Sequence, residues 1–422
     1  MTEKNNYDTI KVIGGKKLNG EVKVASSKNS TVALIPATLL SGEEVILENL
    51  PNISDATVQL ELLEELGCTV ERDDACVKIN TKEIKSKPLV GENVTKLRAS
   101  YYYIGALLTR FKEVEILMPG GCYLGPRPID LHIKGFEKLG AKVDISQGLV
   151  KVKAEKLKGS NIYLDIASVG ATINIMLAAV MAEGRTVIEN AAKEPEIIDV
   201  ANLINSMGGK VRGAGTSKIK IDGVTKLGST RHEIIPDRIE AGTYLIYAAA
   251  LAEEIKITNI IPMHLESLIS KLEEMGVNLE VYKDSILVKE SKNLKQINIR
   301  TAVYPGFPTD LQQIMVPLLT TKANGVSIIT ETIYSSRFKN CHELNKMGAN
   351  IRVENNSAII VAPKQLYGTL VDAPDLRGGA SLILAGLLAE GETTINNVEH
   401  IYRGYGDIIE KLTALGATIT KA

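Results

Sequence analysis

The hydrophobic and polar positions of this 422-residue chain repeat one order of elements six times. In each repeat, apolar residues at every third or fourth position end at Leu-Gly or Met-Gly, which predicts a helix closed by a glycine in the left-handed conformation. Alternating apolar and polar residues follow and predict a β-hairpin. The closing glycines, spaced by 73, 68, 68, 72 and 68 residues, are Gly67, Gly140, Gly208, Gly276, Gly348 and Gly416.

A second predicted helix, rich in small residues, lies upstream of each closing glycine, as in NIMLAAVMAEGRTVIEN and LILAGLLAEGETTINN. Each repeat of about 70 residues therefore contains two helices and about four strands, which predicts an α/β fold. Alanine and glycine allow helices to pack closely, which suits a chain with only 4% aromatic residues.

The last repeat stops after the first strand of its hairpin, and the segment TIKVIGG near the N-terminus has the pattern of the missing strand. We therefore expect two domains of three repeats each. The first spans residues 20–230, and the second combines residues 1–19 with 231–422.

Composition narrows the class of protein. With 49 Lys and Arg against 50 Asp and Glu, the net charge of −1 argues against a nucleic-acid partner. The longest apolar stretches, such as residues 173–182, are too short to cross a membrane, and the N-terminus lacks a signal-peptide pattern. Four cysteines in a chain of this length do not form a disulfide framework. We expect a cytoplasmic monomer with neither a nucleic-acid nor a membrane partner.

A polar loop precedes the small-residue helix of each repeat, and four of these loops carry a cation at the helix start. A cation there opposes the helix dipole by roughly 0.3–1 kcal/mol, so its presence predicts a bound anion. Solvated side chains are the alternative, and Asp237 and Asp375 are placed to neutralise their arginine neighbours. At Ser168 and Asp310, helix capping is the favoured interpretation. The four cations are Lys28, Arg98, Arg238 and Arg377.

An extended loop in the second repeat reads PGGCYLGPRPIDLHI. Its paired glycines make it flexible, and Cys122 lies five residues before Arg127, which favours a reactive thiolate. An idle exposed thiol is equally compatible with this context. The other cysteines are predicted to be packing residues, and no spacing of Cys or His indicates a metal site. These features together indicate an enzyme that closes on an anionic, phosphorylated ligand.

At this point the motifs identify a resemblance along essentially the whole chain. The sequence resembles the enolpyruvyl transferases, and most of all the branch that acts on a UDP-linked N-acetylglucosamine. The motifs that carry it are ASSKNS, LRAS, PGGCYLGPRPIDLHI, SVGAT, KEPEIID, PDRIEAGT, FPTDLQ, ETIYSSRF, DLRGGAS and HIYRGY.

The resemblance implies a two-domain inside-out α/β barrel with a cleft that closes on substrate. It implies transfer of the enolpyruvyl group from phosphoenolpyruvate to the sugar 3-hydroxyl with release of phosphate, through a tetrahedral ketal and without a cofactor or metal. This is the first committed step of peptidoglycan synthesis.

The resemblance also implies roles for individual residues. Cys122 would donate a proton to phosphoenolpyruvate and react with the antibiotic fosfomycin, and Asp310 is the candidate base. Phosphoenolpyruvate would be held by Lys28, Asn29, Arg127, Arg377 and Arg403. UDP-N-acetylglucosamine would be bound by Arg98, Arg127, Pro128, Ile129, Asp130, Leu131, Ser168, Val169, Asp310 and Ile333. Supporting positions are His132, Gly170, Glu194, Asp237 and Arg337.

Two positions depart from the family pattern: Gly378 stands where alanine is common, and Tyr123 follows the loop cysteine. Neither removes a charged group. Two alternatives remain. One is a synthase that uses shikimate-3-phosphate, and the other is a non-catalytic nucleotide-sugar-binding paralogue.

Overall fold

The computed structural model describes residues 9–73, 76–118, 129–334 and 336–422. The strands are β1 Ile10–Ile13, β2 Leu18–Lys23, β3 Glu44–Glu48, β4 Thr69–Asp73, β5 Cys76–Asn80, β6 Glu113–Leu117, β7 Lys142–Ser146, β8 Leu149–Lys153, β9 Asn161–Tyr163, β10 Arg185–Glu189, β11 Val211–Arg212, β12 Lys218–Asp222, β13 Thr230–Glu233, β14 Ala252–Thr258, β15 Asn278–Val281, β16 Ser285–Lys289, β17 Ile299–Arg300, β18 Gly325–Thr330, β19 Ile351–Glu354, β20 Ser357–Ala362, β21 Leu370–Asp372, β22 Glu392–Asn396 and β23 Thr418–Lys421. The α-helices are α1 Lys28–Ala37, α2 Ser54–Glu65, α3 Glu92–Lys96, α4 Tyr102–Phe111, α5 Asp130–Lys138, α6 Val169–Ala179, α7 Pro195–Ser206, α8 Arg238–Leu251, α9 Glu266–Met275, α10 Thr309–Lys322, α11 Lys339–Lys346, α12 Leu376–Leu388, α13 Glu399–Tyr402 and α14 Ile408–Ala414. Short 3-10 helices span Thr38–Leu40, Arg98–Tyr101 and Pro262–Leu265.

The strands that the structure describes form six separate sheets, five with four strands and one with three. Each four-stranded sheet combines one parallel pair with two antiparallel pairs. In the three-stranded sheet, an isolated bridge from Leu89 to Ile116 supplies the parallel contact. The repetition of one pairing scheme confirms the predicted six repeats.

The six closing glycines all adopt the left-handed conformation, with φ between +92° and +101°. In the first repeat, the Gly67 N–H donates to the Glu64 carbonyl and the Cys68 N–H to the Leu63 carbonyl, so the helix end is satisfied. An L side chain rarely adopts this φ, which is why glycine closes each helix.

Strand β1 completes the sheet of the last repeat. Val12 pairs with Ile419 of β23 on one side and with Thr393 of β22 on the other. The Thr9 N–H donates to the Ala422 carbonyl at 2.9 Å, and the Ala422 N–H returns the bond at 2.8 Å. The prediction that the N-terminal segment supplies the missing strand is therefore confirmed.

The chain divides into two compact units, each with its own hydrophobic core. The continuous unit spans Ser26–Ile235, and the discontinuous unit combines Met1–Ala25 with Pro236–Ala422. The bounds lie five or six residues beyond the positions expected from the sequence. The reason is an exchange of strands between repeats. Strand β2 precedes α1 but pairs with β14 of the discontinuous unit, and β13 precedes α8 but pairs with β3 of the continuous unit.

The small-residue helices lie at the centre of each unit. In the discontinuous unit α8, α10 and α12 pack on one another, and every residue of α8 from Ile239 to Leu251 is buried. In the continuous unit α4 packs on α1 and α6. A Cβ at Gly105 would lie 2.4 Å from the Asn174 carbonyl oxygen, so only glycine permits that approach. Buried helices with sheets outside them form the inside-out barrel arrangement.

Among the described residues, no helix combines the length and the apolar character needed to cross a bilayer.

Candidate active site

The six equivalent loops lead into the central helices, as predicted. Lys28 and Arg238 are the first residues of α1 and α8, and Arg98 begins the 3-10 helix before α4. Asp310 and Arg377 are the second residues of α10 and α12. Within each unit, the candidate residues therefore stand at the N-terminal ends of its buried helices.

Capping explains Ser168 but not Asp310. The Ser168 hydroxyl accepts a hydrogen bond from the Ala171 N–H, which makes it the N-cap of α6. At α10 the N-cap position is Pro308, and Asp310 lies inside the first turn. The capping interpretation of Asp310 is therefore wrong, because its carboxylate contacts arginine side chains rather than the backbone N–H groups of the helix.

Two guanidinium groups hold the Asp310 carboxylate. Its Oδ1 lies 2.6 Å from Arg337 Nη2, and its Oδ2 lies 3.2 Å from Arg377 Nη2. Both arginine side chains are 4% exposed. Burial raises the pKa of the Asp310 carboxyl, but the Arg337 and Arg377 charges outweigh burial and hold the pKa well below its ordinary value. Asp310 is thus an ionised acceptor at neutral pH.

Arg377 is fixed from two directions. Its guanidinium lies over the ring of Tyr405, 5.1 Å from the centroid, and contacts Asp310. Burial lowers the pKa of Arg377, but Tyr405 and Asp310 outweigh burial and raise it above its ordinary value. Asp375, one candidate for neutralising this arginine, caps α12 through the backbone N–H groups of Arg377 and Gly378. The Asp310 carboxylate, in contrast, contacts the guanidinium itself.

Sequence reasoning missed the polar residues that connect these groups. Gln313 is fully buried; its Oε1 accepts from Arg337 Nε at 3.3 Å, and its Nε2 donates to Asp375 at 3.2 Å. Thr309 and Glu331 extend the same network. The motifs FPTDLQQ and ETIYSSRF contain all three residues, but a sequence does not reveal which of their side chains turn inward.

Lys28 has a carboxylate partner. Its Nζ lies 2.7 Å from Asp55 in the first turn of α2, and the two side chains are 13% and 5% exposed. The predicted anion at this helix start would therefore share Lys28 with Asp55. Asn29 follows as the second residue of α1 and is half-buried.

A second polar cluster lies at the start of α5. The Asn174 amide nitrogen donates to His132 Nδ1 at 3.0 Å, which leaves the ring proton on Nε2. Asn174 also donates to the Tyr101 carbonyl at 2.9 Å. Burial lowers the pKa of His132 to about 3, with a further contribution from the Arg98 charge. His132 is thus a neutral donor held in one tautomer.

The remaining predicted residues either have a described position in the fold or lie outside the described part of the chain. Asp130 begins α5, between the buried side chains of Ile129 and Leu131. Val169 begins α6, Ile333 is held through its N–H, and Arg403 follows α13. The residues outside the described ranges are Cys122, Tyr123, Arg127 and Pro128.

The other three cysteines lie within the described ranges. Cys68 and Cys341 are buried, and burial raises the pKa of each thiol to about 12. Cys76 lies in β5 and is half-buried. The packing interpretation is confirmed for Cys68 and Cys341. In the ranges that the structure describes, no three His, Cys, Asp or Glu residues are grouped to hold a metal ion.

Comparison with known proteins agrees with this geometry. The sequence model of the family described as EPSP synthase (3-phosphoshikimate 1-carboxyvinyltransferase) matches residues 12–412. The chain is 57% identical to UDP-N-acetylglucosamine 1-carboxyvinyltransferase 2 of Listeria monocytogenes serovar 1/2a, over 98% of each chain. It is 56% identical to the Bacillus subtilis enzyme of the same name, over 98% of this chain and 96% of that one.

Solved structures share the fold. The enolpyruvyl transferase NikO of Streptomyces tendae superposes with a TM-score of 0.89 at 25% identity, over 99% of both chains. EPSP synthase of Acinetobacter baumannii gives a TM-score of 0.77 at 20% identity, over 98% of this chain and all of that one. The chain therefore belongs to the enolpyruvyl transferase family, and within it to the UDP-N-acetylglucosamine 1-carboxyvinyltransferases.

Proposed function

We propose that this protein transfers the enolpyruvyl group of phosphoenolpyruvate to the 3-hydroxyl of UDP-N-acetylglucosamine and releases phosphate, the first committed step of peptidoglycan synthesis. The observation that carries this function is the 57% identity over 98% of the chain to an enzyme named for that reaction. The ionised Asp310, held by two arginines, gives the reaction a fixed acceptor for a hydroxyl group.

The reaction needs an acid for the methylene carbon of phosphoenolpyruvate, and we propose Cys122. Its thiol proton passes to that carbon while the sugar oxygen bonds to the adjacent carbon and gives its own proton to the phosphate group, which leaves a tetrahedral ketal and a Cys122 thiolate. The thiolate then takes a proton from the new methyl group as phosphate departs, which restores the thiol and the double bond. Two of the other three cysteines are disfavoured, because the thiols of Cys68 and Cys341 are buried and have raised pKa values.

The anionic groups of phosphoenolpyruvate need cations, and we propose Lys28, Arg127, Arg377 and Arg403, with Asn29 orienting the substrates. The described contacts support two of them. Lys28 lies at the N-terminus of α1, where backbone N–H groups add to the attraction for an anion. Arg377 is a buried cation whose guanidinium is held over the ring of Tyr405.

The nucleotide sugar is proposed to contact two helix starts. Ser168 and Val169 lie at the N-terminus of α6, and Ile129 to Leu131 lie at the N-terminus of α5. Such termini suit the diphosphate because their N–H groups face an anion. Arg98, Arg127, Pro128 and Ile333 would complete the contacts.

We propose that Asp310 orients the sugar hydroxyl rather than removing its proton. A general base works best with a pKa near the operating pH, whereas the two arginines hold the Asp310 pKa well below its ordinary value. An ionised carboxylate in this setting still accepts a strong hydrogen bond from the hydroxyl. Arg337 supports Asp310 directly, and His132, Gly170, Glu194 and Asp237 are proposed to support the site.

We propose that the enzyme acts as a cytoplasmic monomer without a cofactor, because one chain carries every proposed residue and the reaction needs no redox step.

Ligand-dependent thermal stability tests the substrate class. UDP-N-acetylglucosamine should raise the midpoint of unfolding in a concentration-dependent way, because a ligand that binds only the folded state stabilises it. Shikimate-3-phosphate at the same concentrations should leave the midpoint unchanged. The reverse pattern would assign the chain to the shikimate-using branch of the family.

A further inference from the structure

Glu331 is a buried carboxylate directly after β18 that the roles assigned so far leave unused. Its exposed fraction is 1%. One carboxylate oxygen accepts hydrogen bonds from the backbone N–H groups of Ile333, at 2.7 Å, and Tyr334, at 3.1 Å, and from the Thr301 hydroxyl at 2.8 Å. The other oxygen accepts from the Thr309 hydroxyl at 2.8 Å.

The Thr309 hydroxyl connects this carboxylate to the Asp310 site. A hydroxyl has one hydrogen, and Thr309 uses it toward Glu331, so its lone pairs face the other way. There it accepts a hydrogen bond from Arg337 Nη1 at 2.9 Å. The second terminal nitrogen of Arg337 lies 2.6 Å from the Asp310 carboxylate. A continuous path of bonds thus joins Glu331 to Asp310.

We propose that Glu331 is a positioning residue for the nucleotide-sugar substrate, an inference that rests on the proposed function. It holds the backbone of Ile333, proposed to line the sugar-nucleotide site. Through Thr309 it also sets the orientation of Arg337, which fixes Asp310.

The chemistry requires a carboxylate at this position. Four donors converge on Glu331, three on one oxygen and one on the other, and both oxygens of a carboxylate accept hydrogen bonds. An amide of the same shape has one acceptor oxygen, and its nitrogen would face either the Thr309 hydroxyl or the backbone N–H groups. Glu331→Gln therefore turns the hydroxyl of Thr309 or releases the backbone at Ile333, with little change in volume.

The effect should fall on one substrate. Arg377, proposed to bind phosphoenolpyruvate, contacts Asp310, but it is also held over the ring of Tyr405, and the Asp375 cap holds its backbone independently of Glu331. We expect Glu331→Gln to raise the KM for UDP-N-acetylglucosamine roughly tenfold or more, because a buried donor loses its acceptor. The KM for phosphoenolpyruvate should stay within about twofold of wild type, since its proposed ligands keep their own contacts.

A matched control separates positioning from loss of stability. Asn345 in α11 bonds the backbone of Ile351 in both directions, at 2.8 and 3.0 Å, within the same unit. Asn345→Ala should lower the midpoint of unfolding and leave both KM values unchanged. Glu331→Gln with an equal rise in both KM values, or with none, would overturn the proposal.

Variants of Thr309 test the path even if Glu331→Gln fails to fold. Thr309→Val removes the hydroxyl that orients Arg337 and Asp310 and should lower kcat, whereas Thr309→Ser keeps the hydroxyl and should retain kcat near the wild-type value. Equal behaviour of the two variants would contradict the path. Wild-type protein that releases no phosphate from the two substrates would instead count against the proposed function itself, so the two failures are distinguishable.

Discussion

The Asp310 carboxylate lies 2.6 Å from the Arg337 guanidinium, both on elements of the discontinuous unit. The pair joins the N-terminus of α10 to the loop after β18. Since Arg377 contacts the second oxygen, each carboxylate oxygen has its own cation. A carboxylate held in this way keeps its charge and its direction, which are the properties needed to orient a substrate hydroxyl.

Asp310→Asn should lower kcat by roughly 100-fold, because a misplaced substrate group costs about that much in rate. The amide keeps the shape of the side chain, so we expect UDP-N-acetylglucosamine to bind still. Steady-state kinetics together with ligand-induced thermal shift measure the two effects. Near-normal turnover of this variant would contradict a role of Asp310 in the reaction.

The pH dependence of that defect reports the role of Asp310. A carboxyl whose pKa is lowered keeps its charge above that pKa and loses it only as the pH falls through it. Since the arginines hold the Asp310 pKa well below its ordinary value, the group stays ionised from about pH 8 to about pH 5. The ratio of wild-type to Asp310→Asn turnover should therefore be constant across that range. A ratio that falls toward one on acidification would indicate a base with a higher pKa.

Fosfomycin should label Cys122 alone. An epoxide reacts with a thiolate, and burial raises the pKa of the Cys68 and Cys341 thiols to about 12. Cys122→Ser should abolish the adduct in intact-protein mass spectrometry, and Cys76→Ser serves as the matched control that keeps it. An adduct that persists in Cys122→Ser would reject this thiol as the reactive one.

The N-terminal strand should contribute strongly to stability. The side chain of Ile10 in β1 is fully buried, so Ile10→Ala should reduce the free energy of unfolding by about 2–5 kcal/mol. The adjacent Lys11 points outward and makes an exposed ion pair with Glu392, so Lys11→Ala should change it by less than about 0.5 kcal/mol. Urea denaturation measures the free energy of unfolding of both variants. Equal losses in the two would contradict a stabilising role of β1.

The repeat architecture could be predicted because residues close in sequence determine each helix and strand of the repeat. A glycine directly after a helix indicates that the helix ends there, and a strand pattern without a neighbour in sequence indicates pairing with a distant strand. The structure shows the first at Gly416 and the second at β1. The exact boundaries between the two units are harder to predict from the sequence. The exchange of β2 and β13 between sheets depends on pairing between residues distant in sequence, which no local pattern encodes.

The site was predictable only in part, because many of its contacts join residues that are distant in sequence. The charged residues at the helix starts stand out because they conflict with the helix dipole. The direction of each side chain depends on contacts across the fold, so the sequence favours capping at Asp310, whereas Pro308 takes the N-cap position. Glu331 and Gln313 gave no sequence signal of their own, because their importance comes from the bonds they make when buried.

Phosphate release with each acceptor substrate distinguishes the proposed reaction from its alternatives. Purified protein given phosphoenolpyruvate and UDP-N-acetylglucosamine should release one phosphate for each enolpyruvyl product, and Cys122→Ser should release far less. Shikimate-3-phosphate in place of the nucleotide sugar should give none. Release with shikimate-3-phosphate but not with UDP-N-acetylglucosamine, or release with neither, would contradict the account.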